Sequence, residues 1–130
     1  MTAQLENIML DYGLRQMSSA QVLSICANAN EPTTYALAST TALLGFVNLG
    51  SSGIWQVANL GSPANGRSIA SVTITTGTIT TTGTAGWWAC YDSSGGSGTL
   101  YAHGTLQATQ AVTSGNTFSL SAFTITIPAH

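Results

Sequence analysis

From Arg67 to His130 the chain reads as one short strand after another, and that tract constrains the fold more than any other feature. Arg67–Ile79, Gly86–Asp92, Thr99–Leu106 and Thr117–Pro128 are rich in Val, Ile, Thr, Phe, Tyr and Trp, the residues that pack best on a pleated surface. Asp92–Gly98 and Ser114-Gly115-Asn116 have the composition of hairpin turns. Strands at spacings of about 8–12 residues with turns between them are the signature of a sandwich or jelly roll. The expected fold is all-β, an antiparallel β-sandwich, jelly-roll-like, with a short N-terminal helix. Residues 1–20 form the N-terminal helical segment of this reading and residues 21–130 a single β-sandwich domain.

Alternation within the tract assigns faces. Ala70, Val72 and Ile74 are expected on one face, with Thr73 and Thr75 opposite. Trp87, Ala89 and Tyr91 alternate with Trp88, Cys90 and Asp92, so one Trp is expected in the core and the other pointing out, where it would anchor a partner. Leu100, Ala102 and Leu106 are expected inward, with Tyr101, His103 and Thr105 opposite. Phe118 and Leu120 share one parity, while Phe123, Ile125 and Ile127 share the other. The flip near Ser121-Ala122 implies a β-bulge or a crossing between sheets.

The earlier part of the chain is less regular. Over Thr2–Met17, Leu5, Ile8, Met9 and Tyr12 fall at i, i+3, i+4 and i+7, one stripe of a helix. Glu6 and Asp11 precede Arg15, the order that a helix dipole favours. Such a segment either covers one end of the sandwich or docks on a neighbouring subunit. Val22–Asn28 reads as a strand with Leu23 and Ile25 on one face and Val22, Ser24 and Cys26 on the other. Tyr35–Leu49 reads as an irregular front half, with room for a helical turn, and a strand behind it. Gly50–Gly66 is a long loop centred on Trp55, either an interface loop or a cap over the open end of the core.

Charge is scarce. Charged residues make up 5% of the chain, against a usual share of about 25%. They are Glu6, Asp11, Arg15, Glu31, Arg67 and Asp92, giving a net charge of −2, while Ser and Thr supply about a quarter of the residues. A surface of hydroxyls rather than ions suits a protein whose faces meet copies of itself or a larger partner, because interface cores are depleted in charge. The plainer alternative is a monomer kept soluble by its Ser and Thr. Two basic side chains cannot neutralise a row of phosphates, so no nucleic-acid partner is expected. No apolar run reaches the length of a membrane span, and no secretory leader is recognisable. Cys26 and Cys90 read as two small buried hydrophobes rather than as a disulfide framework.

Catalytic constellations are equally scarce. His103 and His130 have no Cys, His or carboxylate at metal-ligand spacing. Of the four carboxylates, Glu6 and Asp11 lie on the terminal segment, away from any facing pair of the glycosidase kind. No phosphate loop, dinucleotide fingerprint or nucleophile elbow occurs. A triad of His103, Asp92 and a Ser has no local support, and His103 is more simply a strand residue at the sheet surface. The chain is therefore expected not to be an enzyme and to need no metal or cofactor.

Several stretches together carry a resemblance. They are Leu23-Ser24-Ile25-Cys26, Glu31-Pro32-Thr33-Thr34-Tyr35, Asn65-Gly66-Arg67, Gly83-Thr84-Ala85 followed by Trp88-Ala89, and Ala111–Phe118 leading to Phe123-Thr124-Ile125 and Ile127-Pro128. In these turns and strands the chain resembles small virion structural proteins of tailed bacteriophages, of the head-decoration or tail-fibre-like kind. The resemblance implies an all-β subunit of an assembled particle, put together in the cytoplasm of a bacterial host. The first reading it implies is a capsid decoration, or cement, protein bound to the outside of the head. Its partners would be the major capsid protein and copies of itself, as a dimer or trimer. The alternative is a tail-fibre or tail-tip component that binds a receptor or glycan. Interface candidates are Leu5, Ile8, Met9, Tyr12, Trp55, Trp87 and Trp88.

Overall fold

The computed structural model describes Gly13 and residues 16–49, 67–93 and 98–127. Its strands are β1 (Val22–Ala27), β2 (Leu43–Asn48), β3 (Arg67–Ala70), β4 (Ile74–Ile79), β5 (Gly83–Asp92), β6 (Thr99–Val112), β7 (Thr117–Leu120) and β8 (Thr124–Ile127). Six of them form one sheet in the order β6-β5-β1-β2-β4-β7, and β3 pairs with β8 in a second. Every pairing is antiparallel.

One bent ribbon explains the strand order. β5 runs against β6 from Asp92↔Thr99 back to Gly83↔Val112, and β4 runs against β7 from Thr78↔Thr117 to Ile74↔Leu120. Passing from Gly83 to Thr78 and from Val112 to Thr117 takes five residues along each arm, so the register continues through the bend. The bend is hydrogen-bonded across. Ile79 N–H donates to Asn116 O at 2.8 Å and Gly115 N–H to Ile79 O at 2.9 Å. The Ser114 hydroxyl donates to Thr80 O at 3.1 Å. Gly115 has φ +92°, a conformation open to glycine without steric cost. The β1–β2 hairpin sits inside the bend, β1 paired to β5 and β2 to β4. The sheet therefore curls into a half-barrel, and its two outermost strands among the described residues, β6 and β7, are successive stretches of one arm.

Cross-strand pairing sorts the side chains onto two faces. Leu23, Val47 and Cys90 stand side by side on one face. There they pack with Met17, Ala20 and Ile69, so the β3–β8 pair and the residues before β1 cover this side. Val22, Cys26, Ala89 and Tyr91 occupy the other face, beneath Tyr35, Ala38 and Ala42. The segment Leu37–Thr41 is a π-helical turn, closed by Ala42 N–H donating to Leu37 O at 2.9 Å. β1 is thus buried on both sides, as its nearly unbroken apolar run requires. Its one buried hydroxyl, Ser24, donates to Ala38 O at 3.2 Å, which offsets the cost of burying it.

The expected faces of β1 and the strand in the back half of Tyr35–Leu49 are present. Ser114–Asn116 is a turn but not the expected hairpin: β6 and β7 on either side of it pair with β5 and β4 rather than with each other, because the turn lies at the bend of one continuing arm. The parity flip after Leu120 is a crossing between sheets: β7 ends in the large sheet and β8 begins in the small one. Arg67–Ile79, however, is not one strand. Ser71 is 1% exposed and clamps Phe123, donating its N–H to Phe123 O at 2.8 Å and accepting Phe123 N–H on its hydroxyl at 3.0 Å. The chain changes sheets there, so Val72 is exposed at 43% while Ile74 is buried, and the shared face expected of Ala70, Val72 and Ile74 is broken. The helix expected over Thr2–Met17 lies mostly outside the described residues; within it Gly13 is helical, and Gln16–Ser19 is a single 3-10 turn.

Candidate functional site

A cleft of about 530 Å³ opens between these two outermost strands of the half-barrel. Trp88, Leu106, Leu120 and Phe123 supply its apolar surface, and Thr105, Gln107, Gln110, Ser119 and Ser121 its polar surface. A second hollow of about 330 Å³ adjoins it at the bend and shares Gln110 and Ser119. Both volumes lie in the range of ordinary binding clefts, about 300–1,000 Å³.

Irregular pairing opens one wall. Trp87 pairs with Thr105 and Ala85 with Gln110, so Leu106–Thr109 on β6 stand opposite Gly86 alone on β5. This wide bulge turns Leu106 toward the core and leaves Gln107, Ala108 and Thr109 exposed. A bulge at a sheet edge re-aims side chains in this way. The other wall forms where the chain leaves β7 for β8. Trp88 lies between these walls because glycine faces it across the ladder: a Cβ on Gly104 would sit 2.8 Å from Trp88 Nε1. Phe123 then packs on the indole, with ring centroids 4.6 Å apart.

Among the described residues no charged side chain lines the cleft. Amides and hydroxyls there can donate and accept hydrogen bonds, and the aromatic and aliphatic groups can bury apolar area. Its chemistry suits a neutral surface or chain segment better than an ion. Among the described residues no group of three or more His, Cys, Asp or Glu could hold a metal, and no helix is long and apolar enough to cross a membrane.

The two described tryptophans stand on opposite faces, as alternation demands, but both are half-buried. Trp88 belongs to the cleft. Trp87 packs on the other face and donates its indole N–H to Asn28 O at 3.3 Å, so a covering segment lies against it. Leu5, Ile8, Met9, Tyr12 and Trp55 lie outside the described residues. His103 is a surface strand residue, as expected, and its Nε2 meets Glu31 Oε1 at 3.2 Å, a partner that sequence spacing did not suggest. Nothing in the sequence marks Gln107, Gln110, Ser119 and Phe123 as members of one site. The bulge that exposes Gln107 has no mark in Thr105–Val112, a run without Gly or Pro.

Cys26 and Cys90 are free and buried on opposite faces of the sheet. Burial pushes both thiols up, with the Ser24 hydrogen bond opposing it at Cys26. Burial, then the charges of Tyr35 and Cys26, pushes the Tyr91 phenol up to about 12. As pH rises, the unfolded chain releases these protons first, so it binds fewer protons than the folded chain and stability falls. This contribution is complete below pH 9.0, the ordinary thiol value, and is lost toward 12. The thermal midpoint should therefore fall steadily across that window in circular-dichroism melts. A midpoint that stays flat there would contradict the burial of these groups.

Comparison of the chain with protein-family models, curated proteins and solved structures gives no match.

Proposed function

We propose that the chain is a structural subunit of a tailed-bacteriophage particle, a decoration protein that binds the outside of the head and ties capsid subunits together by surface contact. The observation that carries this reading is the outward surface of the strands. Thr75, Thr76 and Thr78 of β4, Thr84 of β5, and Thr117 and Ser119 of β7 are exposed and uncharged. A surface built this way loses little when water is replaced by a second protein, because burying hydroxyls that find hydrogen-bond partners costs far less than burying ions. The resemblance in the turn and strand stretches supports the particle. The major capsid protein and further copies of this chain are the partners of the proposal. The same proposal takes the β3–β8 pair as the beginning of the second layer of a jelly-roll-like sandwich.

Quantitative mass spectrometry of purified particles tests it. The expected result is a copy number comparable with that of the major capsid protein, retained through a moderate salt wash, since contacts without ions are little screened. A handful of copies that travel with isolated tails would favour the tail component instead. Absence from the particle would overturn both.

A further inference from the structure

We propose that His103 and Glu31 form a proton-operated latch, which holds the segment between β1 and the π-helical turn against β5 and β6 more tightly in mildly acidic solution than above neutrality. The inference goes beyond the particle reading and does not depend on it. The segment, residues 28–36, lies over the face that carries Trp87 and Tyr91. Its two ends are seated on β5 by shape. Asn28 N–H donates to Thr84 O at 2.8 Å, and Asn28 O accepts the Trp87 indole N–H at 3.3 Å. Asn28 comes this close because Gly86 lies beneath it, where a Cβ would stand 2.8 Å from Asn28 Cα. At the other end Tyr35 meets Tyr91 edge to face, with ring centroids 5.3 Å apart. Between the ends Pro32 is fully buried, and Glu31 Oε1 reaches His103 Nε2 on β6 at 3.2 Å. Trp87 flanks the imidazole, with ring centroids 6.3 Å apart. Of these contacts only Glu31–His103 joins two ionisable side chains.

Charge gives the contact its sign. A neutral imidazole donates one ordinary N–H to the carboxylate, whereas an imidazolium donates with charge, in a hydrogen bond roughly twice as strong. Docking of the segment therefore favours protonation of His103, and protonation favours docking. The latch tightens as pH falls through the range in which histidine changes charge, about pH 5–8. It slackens again only where a glutamate takes up its proton, near about pH 4.3. The other ionisable groups of this face do not change charge between those limits. From β5 it carries Tyr91, whose phenol is pushed up to about 12 by burial. From β1 it carries Cys26, whose thiol burial also pushes up. The segment adds Tyr35, and phenols change charge only near pH 10. Asp92 has the opposite parity to Tyr91 and lies three residues along β5 from Ala89, the partner of His103.

Hydrogen exchange read by NMR on the full chain tests the latch. Two protons report docking of the segment: the Asn28 amide, bonded to Thr84 O, and the Trp87 indole N–H, bonded to Asn28 O. Each rate is divided by its intrinsic rate at the same pH. The His103 and Glu31 side chains are 30% and 50% exposed, so solvent screens the pair. Protection of both protons should accordingly be about two- to fivefold higher at about pH 5.5 than at about pH 8. Glu31→Gln and His103→Gln should each remove that dependence, and the double variant should match either single one. Gln at 103 keeps a donor, so a merely structural hydrogen bond would leave the protection ratio of that variant at the wild-type value. His130 is retained in every variant, so a response that it causes would survive in all of them. Amides of Leu43–Asn48 in β2, remote from the pair in the strand order, should keep one protection at both pH values. Wild-type protection that is equal at the two pH values overturns the proposal. So does a pH response that persists in Glu31→Gln, and so does an equal response in β2, which would belong to the whole fold. The copy number of the chain in the particle is untouched by any of these outcomes.

Discussion

Gly45→Ala should destabilise the fold by about 3 kcal/mol, the upper end of ordinary overpacking. A Cβ at Gly45 would stand 2.6 Å from the carbonyl oxygen of Thr78 and 3.1 Å from Cα of Ile79. Both are backbone atoms of β4, which cannot move aside by rotating a side chain. The position also lies on the thinnest seam of the sheet: β2 and β4 share only the register pairs Gly45↔Ile79 and Phe46↔Thr78. Nearby, Thr80 and Thr81 N–H both donate to Leu44 O, at 2.8 and 3.0 Å. Forcing this seam apart loosens the β4–β7 arm and with it one wall of the cleft. Gly77→Ala is the comparison. Its Cβ would collide with the ring of Phe118, a half-buried side chain rather than backbone, so a cost nearer about 1 kcal/mol, the lower end of overpacking, is expected. Urea denaturation would rank the two. Hydrogen exchange should quicken in Ile74–Ile79 and Thr117–Leu120 for Gly45→Ala. Equal costs, or unchanged exchange in those strands, would mean that the seam is not what holds the arm.

The parts of the fold legible in the sequence are those that local chemistry decides. β1 alternates Leu23 and Ile25 with Val22, Ser24 and Cys26, and both sets are buried because each face of the central strand has its own cover. The turn at Ser114–Asn116 announces itself through Gly115. The crossing after Leu120 shows as a parity flip because strand periodicity is two, and only an insertion or a change of sheet can reverse it. Ser71 shows the limit. Ser in a β-rich run looks like one more outward residue, and only the distant Phe123 makes it a buried clamp at a change of sheet. The cleft was less legible still. Trp88 stands out in the sequence as an aromatic residue, but its neighbours Leu106, Leu120 and Phe123 come from three other segments, and the bulge that separates the walls is set by pairing with β5. Pairing across the sheet is long-range information that composition and spacing do not hold.

Leu23→Ala should cost about 3–4 kcal/mol, within the range of large-to-small core substitutions. Leu23 has no exposed surface and sits on β1, with Val47 and Cys90 beside it and Met17, Ala20 and Ile69 in the same cluster. The strands on either side are hydrogen-bonded to β1 and cannot close in, so the space left by the side chain stays largely open. A domain of this size has about 5–15 kcal/mol of stability in all, so the loss is a large share of it. Leu23→Met keeps the volume and should cost less than about 1.5 kcal/mol. Val72→Ala, at an exposed site, should change stability by no more than about 0.5 kcal/mol. The effect also reaches the cleft, because Trp88, Leu120 and Phe123 pack against the same cluster. Loosening that support should redden the tryptophan emission of the folded Leu23→Ala protein, whereas Leu23→Met should keep the wild-type spectrum. If Leu23→Ala melts within about 0.5 kcal/mol of wild type, the cluster beneath the cleft is not the core of the fold, and the cleft loses its rigid base.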